Sequence, residues 1–435
     1  MKSKQKGQLL YTKAKKLIPG GTMLLSKRPE MHLPENWPSY FNKAKGCHVW
    51  DLNDNKYTDM LMGIGPNALG YGNNQVDQAV LNAISKGNMS TFNCPEEVEL
   101  AERLIDMHPW ADMARFARSG GEANAIAIRI ARAASKKDNV AVCGYHGWHD
   151  WYLSINLSGD GLSDHLLPGL DPLGVPKNLK NSVFPFEYNN FEQLEKLVDS
   201  QNIGVIKMEV QRNLPPSNNF LTKVRSLATK KNIVLIFDEC SSGFRETFGG
   251  LHKKYNVNPD MAMFGKTLGN GYAVTAVIGT KDVMEAAQGS FISSTFWTER
   301  VGSVAALETI KVMEKLKSWE ILPQYGVSVK AKLNELANLH DVEINISGLN
   351  AVPSFSFNSP NHLYLKTFVT QEMLKKGFLC SNVFYMCTEH HPNILEGFFD
   401  GLNDIFAKIK ILEDGEGVRS HLEGPVCHGG FSRLN

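Results

Sequence analysis

The sequence predicts an α/β fold in which helices cover a mainly parallel, mixed sheet, with a smaller α+β domain beside it. "NIGVIKMEV" (202–210) and "NIVLIFDEC" (232–240) are apolar along nearly their whole length, which indicates strands buried on both faces. The amphipathic segment "FLTKVRSLATKK" separates them, and strands that alternate with helices are typical of a parallel sheet.

The N-terminal part of the chain has three predicted features. The basic run at residues 2–16 alternates with apolar residues and predicts a solvated amphipathic helix, with a binding arm as the alternative. A stretch rich in turn residues follows, and "GCHVWDLNDNKYTDM" (46–60) then predicts a hairpin. We assign residues 1–74 to the small domain, 75–325 to the large domain, and 326–435 to the rest of the small domain and a tail.

Helical and strand patterns alternate through the predicted large domain. "VELAERLIDMH" (98–108) is amphipathic, and residues 114–135 predict a short strand, a glycine turn and a long helix. Further strands are expected at "NVAVC" (139–143), "MAMFGK" (261–266) and "AVTAVIGT" (273–280). After residue 325 the pattern mixes helices with short strands, which suits a smaller domain.

Composition narrows the possible partners and the compartment. The 46 Lys+Arg against 45 Asp+Glu leave a net charge of +1, so neither nucleic acid nor an anionic membrane is expected as a partner. No segment reaches the ~18 apolar residues of a membrane span, and the N-terminus lacks the apolar stretch of a secretory signal. The seven cysteines show no CxxC and no zinc spacing, which predicts reduced thiols, no metal site and a cytoplasmic protein.

Two predicted strand ends carry residues that suit a ligand, because ligands collect at the carboxyl ends of such strands. Ser119, Gly120 and Gly121 form a tight turn at a helix start, where backbone N–H groups suit an anion. An ordinary strand-to-helix turn is the alternative. Tyr145, after "NVAVC", can offer a flat face to an aromatic ligand, with packing in a core or a lid as the alternative.

Asp238 and Lys266 each raise a question of burial. A carboxylate at the end of an apolar strand is costly to leave unpaired, so Asp238 pairs with a cation such as Arg245, caps a helix, or binds a protonated ring nitrogen. Lys266 follows "MAMFG", where burial near cations would lower its pKa towards that of a usable nucleophile. Glu239 is expected to pair locally.

An anion turn, an aromatic platform, a carboxylate and a lysine fit one ligand together, pyridoxal 5'-phosphate (PLP). Its aldehyde needs an amine for a Schiff base, and its pyridine nitrogen needs an anion. Its ring needs a stacking partner, and its phosphate needs hydrogen-bond donors.

The motifs also resemble those of a known family. "SGGEA" (119–123), "YHGWHD" (145–150), "DECSSGFR" (238–245) and "GKTLGNG" (265–271) resemble the class III aminotransferases of fold type I. Within them the chain is most similar to glutamate-1-semialdehyde 2,1-aminomutase and its aminotransferase relatives. The resemblance runs from "LIPGG" near residue 18 to "GFFDGLNDIF" near residue 400 and implies a fold type I PLP-dependent transferase.

The resemblance implies roles for the residues at the strand ends. Lys266 is the Schiff-base lysine and carries the proton between the substrate α-carbon and the cofactor. Asp238 pairs with the pyridinium nitrogen, and Gly120 and Gly121 give amides to the phosphate.

Four further roles rest on the same resemblance. Tyr145 stacks on one face of the ring, and Cys240 stands where the family has an apolar residue on the other face. Asn213 aligns near the ring hydroxyl, although "EVQRN" lacks the family's proline. Thr295 aligns with a threonine that reaches the phosphate of the neighbouring subunit's cofactor, which implies a homodimer with shared active sites.

The departures from the family pattern concern the substrate. The aminomutase has an arginine after "PGG" for the substrate carboxylate; here Lys27 aligns with it and Arg28 is adjacent, and lysine lacks the bidentate fork of arginine. The family's "GNP" after the threonine is "TER" here, next to Trp297. Trp297 and Trp148 either line an entrance or pack in the core.

The sequence therefore predicts a PLP-dependent aminotransferase with a small-molecule amino donor and a small carbonyl acceptor, such as a keto acid or a sugar-like molecule. An intramolecular aminomutase is the alternative. A non-catalytic relative would have lost Lys266 or Asp238, and both are present. A nicotinamide-binding fold would show GxGxxG after its first strand, and that motif is absent there.

Overall fold

A computed structural model describes residues 5–157, 172–412 and 415–429. The chain forms two compact units, one of Met1–Asn73 with Glu320–Asn435 and the other of Asn74–Trp319. The division into a large and a small domain at residues 75 and 325 stays a prediction. Among the described residues, no helix combines the length and the apolar character needed to cross a membrane.

The strands and helices of the described residues are numbered along the chain. The strands are β1 Phe41–Lys45, β2 His48–Asp51, β3 Lys56–Asp59, β4 Met113–Ala117, β5 Asn139–Cys143, β6 Val183–Pro185, β7 Ile203–Glu209, β8 Val234–Glu239, β9 Met261–Phe264, β10 Thr275–Gly279, β11 Ile344–Ser347, β12 Ser354–Phe357 and β13 Phe378–Leu379. The α-helices are α1 Lys6–Leu17, α2 Asn74–Ile84, α3 Pro95–Met107, α4 Gly120–Ser135, α5 Asp150–Leu153, α6 Phe191–Ser200, α7 Phe220–Lys230, α8 Lys281–Met284, α9 Arg300–Leu316, α10 Ser318–Leu339, α11 His362–Lys375, α12 Pro392–Leu412 and α13 Gly415–His421.

The Asn74–Trp319 unit is built on a seven-stranded sheet of order β4-β10-β9-β8-β7-β5-β6. Neighbours pair in parallel from β9 through β6, and β10 runs antiparallel to both β9 and β4. The predicted mainly parallel, mixed sheet is confirmed. Helix α3 begins three residues before the predicted 98, because Pro95 suits the first helical position and two glutamates follow it in the first turn.

The two faces of this sheet carry different side chains. Helix α4 packs on one face, where its buried side chains share a core with alternate residues of the central strands, such as Val205, Ile236 and Met263. Because successive strand residues point to opposite faces, Asp238 shares the α4 face with Ile236, and Glu239 points to the other face. The two adjacent carboxylates therefore have separate surroundings.

The unit of Met1–Asn73 with Glu320–Asn435 contains a four-stranded sheet, β1-β2-β3-β13, and the two-stranded sheet β11-β12. Strands β2 and β3 pair antiparallel with His48 opposite Thr58, so the predicted hairpin is confirmed. The predicted N-terminal helix is α1. In the tail, Cys427 N donates to Thr367 Oγ1 at 3.0 Å, whereas residues 430–435 lie outside the described residues.

Candidate active site

The carboxyl ends of β4, β5, β7, β8 and β9 lie along one edge of the seven-stranded sheet. This follows from the pairing, because β4 and β9 both run antiparallel to β10 and the other strands run parallel to β9. Tyr145 follows β5, Asp238 lies at the end of β8, and Lys266 follows β9. The fold therefore brings three predicted site residues to the same edge.

Asp238 is a buried carboxylate with several donors. It is 4% exposed, and its Oδ2 lies 2.9 Å from His146 Nδ1 and 3.8 Å from Lys207 Nζ. Its Oδ1 accepts from Cys240 N at 3.0 Å. Burial alone would raise the pKa of Asp238, but Lys207 and His146 outweigh it and hold the pKa well below its usual range. Arg245, the cation considered from the sequence, donates Nε to Ser241 O.

Glu239 pairs locally, as expected, on the opposite face. Its two oxygens accept from Ser242 Oγ at 2.9 Å, from Leu251 N at 2.6 Å, and from both N and Nδ1 of His252 at 3.0 and 2.7 Å. Trp110 Nε1 donates to His252 Nε2, which extends the network. Glu239 therefore anchors the segment that follows β8.

Glu239→Gln is expected to lower the free energy of unfolding by about 2–4 kcal/mol at neutral pH, because an amide cannot accept all these bonds. Burial raises the pKa of Glu239, but the bonds from His252 and Leu251 outweigh burial and lower it overall. The ionised side chain thus stabilises the fold above its unfolded pKa of about 4.3, and this contribution is lost as the pH falls. Denaturant titration at several pH values measures both effects.

Asp199→Asn is the matched control for Glu239→Gln, because it removes a carboxylate from an exposed pair with Lys231. It should cost less than about 1 kcal/mol. An equal unfolding free energy for Glu239→Gln and the wild type at neutral pH would show that the network contributes little.

The glycine turn at the start of α4 has the geometry of an anion site. Ser119 and Glu122 form a reciprocal capping box. Ser119 Oγ accepts a hydrogen bond from the backbone N–H of Glu122, and Glu122 Oε2 accepts one from the backbone N–H of Ser119. Ser119 O accepts from Ala123 N. These bonds leave the amides of Gly120 and Gly121 as the donors at the helix start. A Cβ on Gly121 would lie 2.9 Å from the His149 ring, so a larger residue there would require this ring to move.

Lys266 lies beside this turn. Its backbone N donates to Cys240 O at 3.0 Å, which ties the segment after β9 to the end of β8. A Cβ on Gly265 would lie 3.1 Å from Cys240 Sγ, and one on Gly120 would lie 3.7 Å from it. The Cys240 thiol therefore lies between the glycine turn and the residue before the lysine. Lys266 is partly buried.

Tyr145 is held through its backbone. Its N donates to Glu209 Oε2 at 3.2 Å, and its side chain is 47% exposed. Burial raises the pKa of the Tyr145 phenol, and the Asp238 carboxylate raises it further against the opposing charge of Arg212, so the phenol lies within electrostatic range of that carboxylate. Asn213 lies four residues beyond β7 and is exposed. Among the described residues, no contact places its side chain at the site.

Two residues anchor the segment of Thr295 and Trp297 to the glycine turn. Arg118 donates to Trp297 O at 2.8 Å, and Trp297 Nε1 donates to Glu122 Oε1 at 3.2 Å. Thr295 is exposed. Trp297 packs partly on the α4 core, as the alternative interpretation had it, but it also borders the turn.

Trp148 borders the same turn. Its ring stacks on His149 at 4.5 Å and is 68% exposed, and a Cβ on Gly121 would lie 3.3 Å from its Nε1. Core packing therefore does not account for Trp148.

Lys27 and Arg28 belong to the other compact unit. Lys27 is exposed and ends a short 3₁₀ turn. Arg28 is partly buried, and its guanidinium lies against Gly20, where a Cβ would meet it. Their role towards a substrate stays a prediction.

The sequence analysis missed His146 and Lys207. His146 lies inside the quoted motif "YHGWHD", and a histidine just past a strand end is a signal for a ligand edge. Lys207 interrupts the apolar strand "VIKMEV", and a lysine there requires a buried partner. Neither signal names that partner, because β5, β7 and β8 are adjacent only in the folded sheet.

Comparison with known proteins agrees with this geometry. A sequence model of the family "Aminotransferase class-III" matches residues 32–389. The chain is 31% identical over 422 residues to a 3-aminobutyryl-CoA aminotransferase of Cloacimonas acidaminovorans, covering 92% of this chain and 96% of that protein. It is 29% identical over 411 residues to a glutamate-1-semialdehyde 2,1-aminomutase of Methanococcoides burtonii, covering 90% and 94%. The fold matches the PLP-containing FumI protein of Sphingopyxis sp. MTA144 with a TM-score of 0.84 and 22% identity, covering 97% and 98%.

Proposed function

The chain belongs to the class III aminotransferases, which are PLP-dependent enzymes, and on that premise we propose that it moves an amino group from an amino donor to a small carbonyl acceptor through Lys266 and Asp238. The observation that carries this proposal is the buried, ionised Asp238 at the same sheet edge as Lys266. A keto acid or a sugar-like carbonyl compound suits the acceptor role.

The residues at this edge fit PLP. The amides of Gly120 and Gly121 suit its phosphate, and Asp238 suits a protonated ring nitrogen. Tyr145 and Cys240 suit the two faces of its ring. When bound, PLP supplies an aldehyde that takes up the amino group and a ring that withdraws electrons from the substrate.

The side chains of the protein would bind the cofactor and transfer protons. Lys266 Nζ would hold the cofactor through its aldehyde, and it would carry the proton between the substrate α-carbon and the cofactor. Asp238, kept ionised by Lys207 and His146, would hold the proton on the ring nitrogen. Asn213 is assigned to the ring hydroxyl through the family alignment alone.

Four residues are proposed for the substrate side. Trp148 and Trp297 border the glycine turn and are assigned to the substrate entrance. Lys27 and Arg28 are assigned to an anionic group of the substrate. Measuring KM for carboxylate and uncharged substrates in Lys27→Ala and Arg28→Ala tests this assignment, which is wrong if both variants leave every KM unchanged.

An intramolecular aminomutase is the second candidate, because relatives at 28–33% identity carry that name. Lysine in place of the arginine after "PGG" favours transfer over this alternative.

Half-reactions separate the two candidates. The PLP-loaded enzyme, mixed with one amino donor at a time, is expected to lose the absorbance of its lysine-bound cofactor and to release one equivalent of free keto product. A carbonyl acceptor added afterwards should restore the absorbance. An enzyme that isomerises a single substrate and releases no keto product is a mutase instead.

We also propose a homodimer in which Thr295 serves the partner subunit's phosphate. The support is an exposed apolar surface near Thr295: Phe291 and Phe296 are 86% and 69% exposed, and Phe92 is 87% exposed. Asn88 accepts from the backbone N of Arg300, so the segment that carries Phe92 lies beside the end of the Thr295 segment. Exposed apolar residues on this scale mark interaction surfaces.

Mixed dimers test this shared site. Lys266→Ala and Thr295→Glu subunits are each expected to be nearly inactive, the second because its carboxylate repels the phosphate. Reassembled together in equal amounts they should recover about a quarter of wild-type activity, because each mixed dimer has one intact site. The control is a subunit that carries both changes. When this double variant is mixed with wild type, the mixed dimers should contain no intact site. No recovery in the first mixture would exclude Thr295 from the partner's site.

A cytoplasmic location is proposed from the cysteines. All seven are free thiols, which suits a reducing compartment. Cell fractionation checks this location, and recovery of the protein only outside the cytoplasm would contradict it.

A further inference from the structure

Lys207 is a fully buried lysine within the central sheet. It lies on β7, which is buried along its whole length, and its own exposure is 0%. Lysines are rarely buried in this way without a charge partner. The ammonium Nζ lies 2.9 Å from Met263 Sδ and 3.8 Å from Asp238 Oδ2.

The position of Lys207 follows from strand register. In the pairing of β7 with β8, Glu209 lies opposite Asp238 and Lys207 lies opposite Ile236. Lys207 is therefore two residues further than Asp238 from the carboxyl end of the strands, and it points to the same face of the sheet. Lys207 therefore contacts Asp238 from the side of the strand interior. The glycine turn and Lys266 lie on the other side of Asp238, at the carboxyl edge of the sheet.

Several titratable groups face this ion pair. They are Tyr145 and His146 after β5, Glu209 at the end of β7, and Cys240 after β8. His146 Nε2 also lies 3.1 Å from Cys143 O, so both ring nitrogens face oxygen acceptors. Burial lowers the pKa of Lys207, and Asp238 is the strongest opposing influence. Lys207 thus depends mainly on Asp238 for its charge balance.

We propose that Lys207 is a tuning residue, which shares the negative charge of Asp238 and so weakens the hold of this carboxylate on the protonated ring nitrogen of PLP. The proposal rests on the assignment of Asp238 as the partner of the ring nitrogen. A cation on the inner side of a carboxylate repels a second cation on its outer side, and in a buried site this repulsion is only weakly screened. Lys207 acts through Asp238 and is not itself a catalytic residue.

Two changes, one in the protein and one in the cofactor, test this proposal. Lys207→Met keeps an unbranched side chain, one heavy atom shorter, and removes its charge. An analogue of PLP with C–H in place of the ring nitrogen removes the proton. The affinities of wild type and Lys207→Met for both compounds are measured by titrating apoenzyme. The preference for PLP over the analogue should rise about tenfold in Lys207→Met. The ¹⁵N signal of ring-labelled PLP should titrate about one pH unit higher in this variant.

Met263→Leu is the matched control, because it removes the sulfur contact of Lys207 and keeps the charge. It should leave the preference unchanged. If Lys207→Met does not fold, Lys207→Gln carries the same prediction. An unchanged or lower preference for PLP in the uncharged variant overturns the proposal, since a purely structural lysine would alter both affinities equally.

Asp238→Asn separates failure of this inference from failure of the proposed function. If Asp238 binds the ring nitrogen, this variant loses most of the preference for PLP over the analogue. An unaltered preference in Asp238→Asn would refute the cofactor role itself. A loss in Asp238→Asn combined with no rise in Lys207→Met would refute only the role of Lys207.

Discussion

Lys266→Ala is expected to lower turnover by about four orders of magnitude or more. The variant lacks the amine proposed to bind the cofactor aldehyde and the base proposed to move the α-proton. It should also lack the absorbance band of lysine-bound PLP near the visible edge. Steady-state kinetics and the absorbance spectrum measure the two effects.

Lys281→Ala is the control for the loss of a lysine as such, because Lys281 is exposed at the start of α8. It should keep both turnover and the absorbance band. Retention of the band in Lys266→Ala would mean that another lysine binds the cofactor.

Asp238→Asn is the second change with a large expected effect. It keeps the size of the side chain and removes the charge proposed to hold the ring proton, so turnover should fall about 10²–10³-fold or more. It also leaves the buried Lys207 without its anion. The free energy of unfolding should therefore fall by about 3 kcal/mol.

The double variant Asp238→Asn, Lys207→Met separates catalysis from stability. Removing both buried charges should restore part of the lost stability, because the ammonium of Lys207 is no longer left without its anion. Turnover should stay low, because the anion for the ring nitrogen is still absent. Recovery of turnover together with stability would show that Asp238 acts only through the fold.

Much of the fold was predictable because its signals are local. The apolar runs of β7 and β8 and the alternation in the β2–β3 hairpin each mark one element. The order of strands in the sheet was not predictable in the same way, because pairing between β5 and β7 joins segments about 60 residues apart in sequence.

The same distinction applies to the site. Asp238 and Lys266 stand out in the sequence because a charged residue at the end of an apolar run is costly to bury without a partner. The opposite directions of Asp238 and Glu239 follow from strand alternation once β8 is known. His146 and Lys207 required the folded sheet, because their importance lies in a contact with Asp238 across neighbouring strands. The residues proposed for the substrate, Lys27, Arg28, Trp148 and Trp297, lie outside the strands, where no periodic pattern predicts the direction of a side chain.

The most direct test of the central claim is to locate the lysine that carries PLP. Borohydride treatment of the PLP-loaded enzyme makes the carbon–nitrogen link permanent, and peptide mass spectrometry then identifies the modified residue. The account predicts modification of Lys266 within the peptide around "FGKTLGNG". Modification of Lys207 or of another lysine, with Lys266 unmodified, would contradict it.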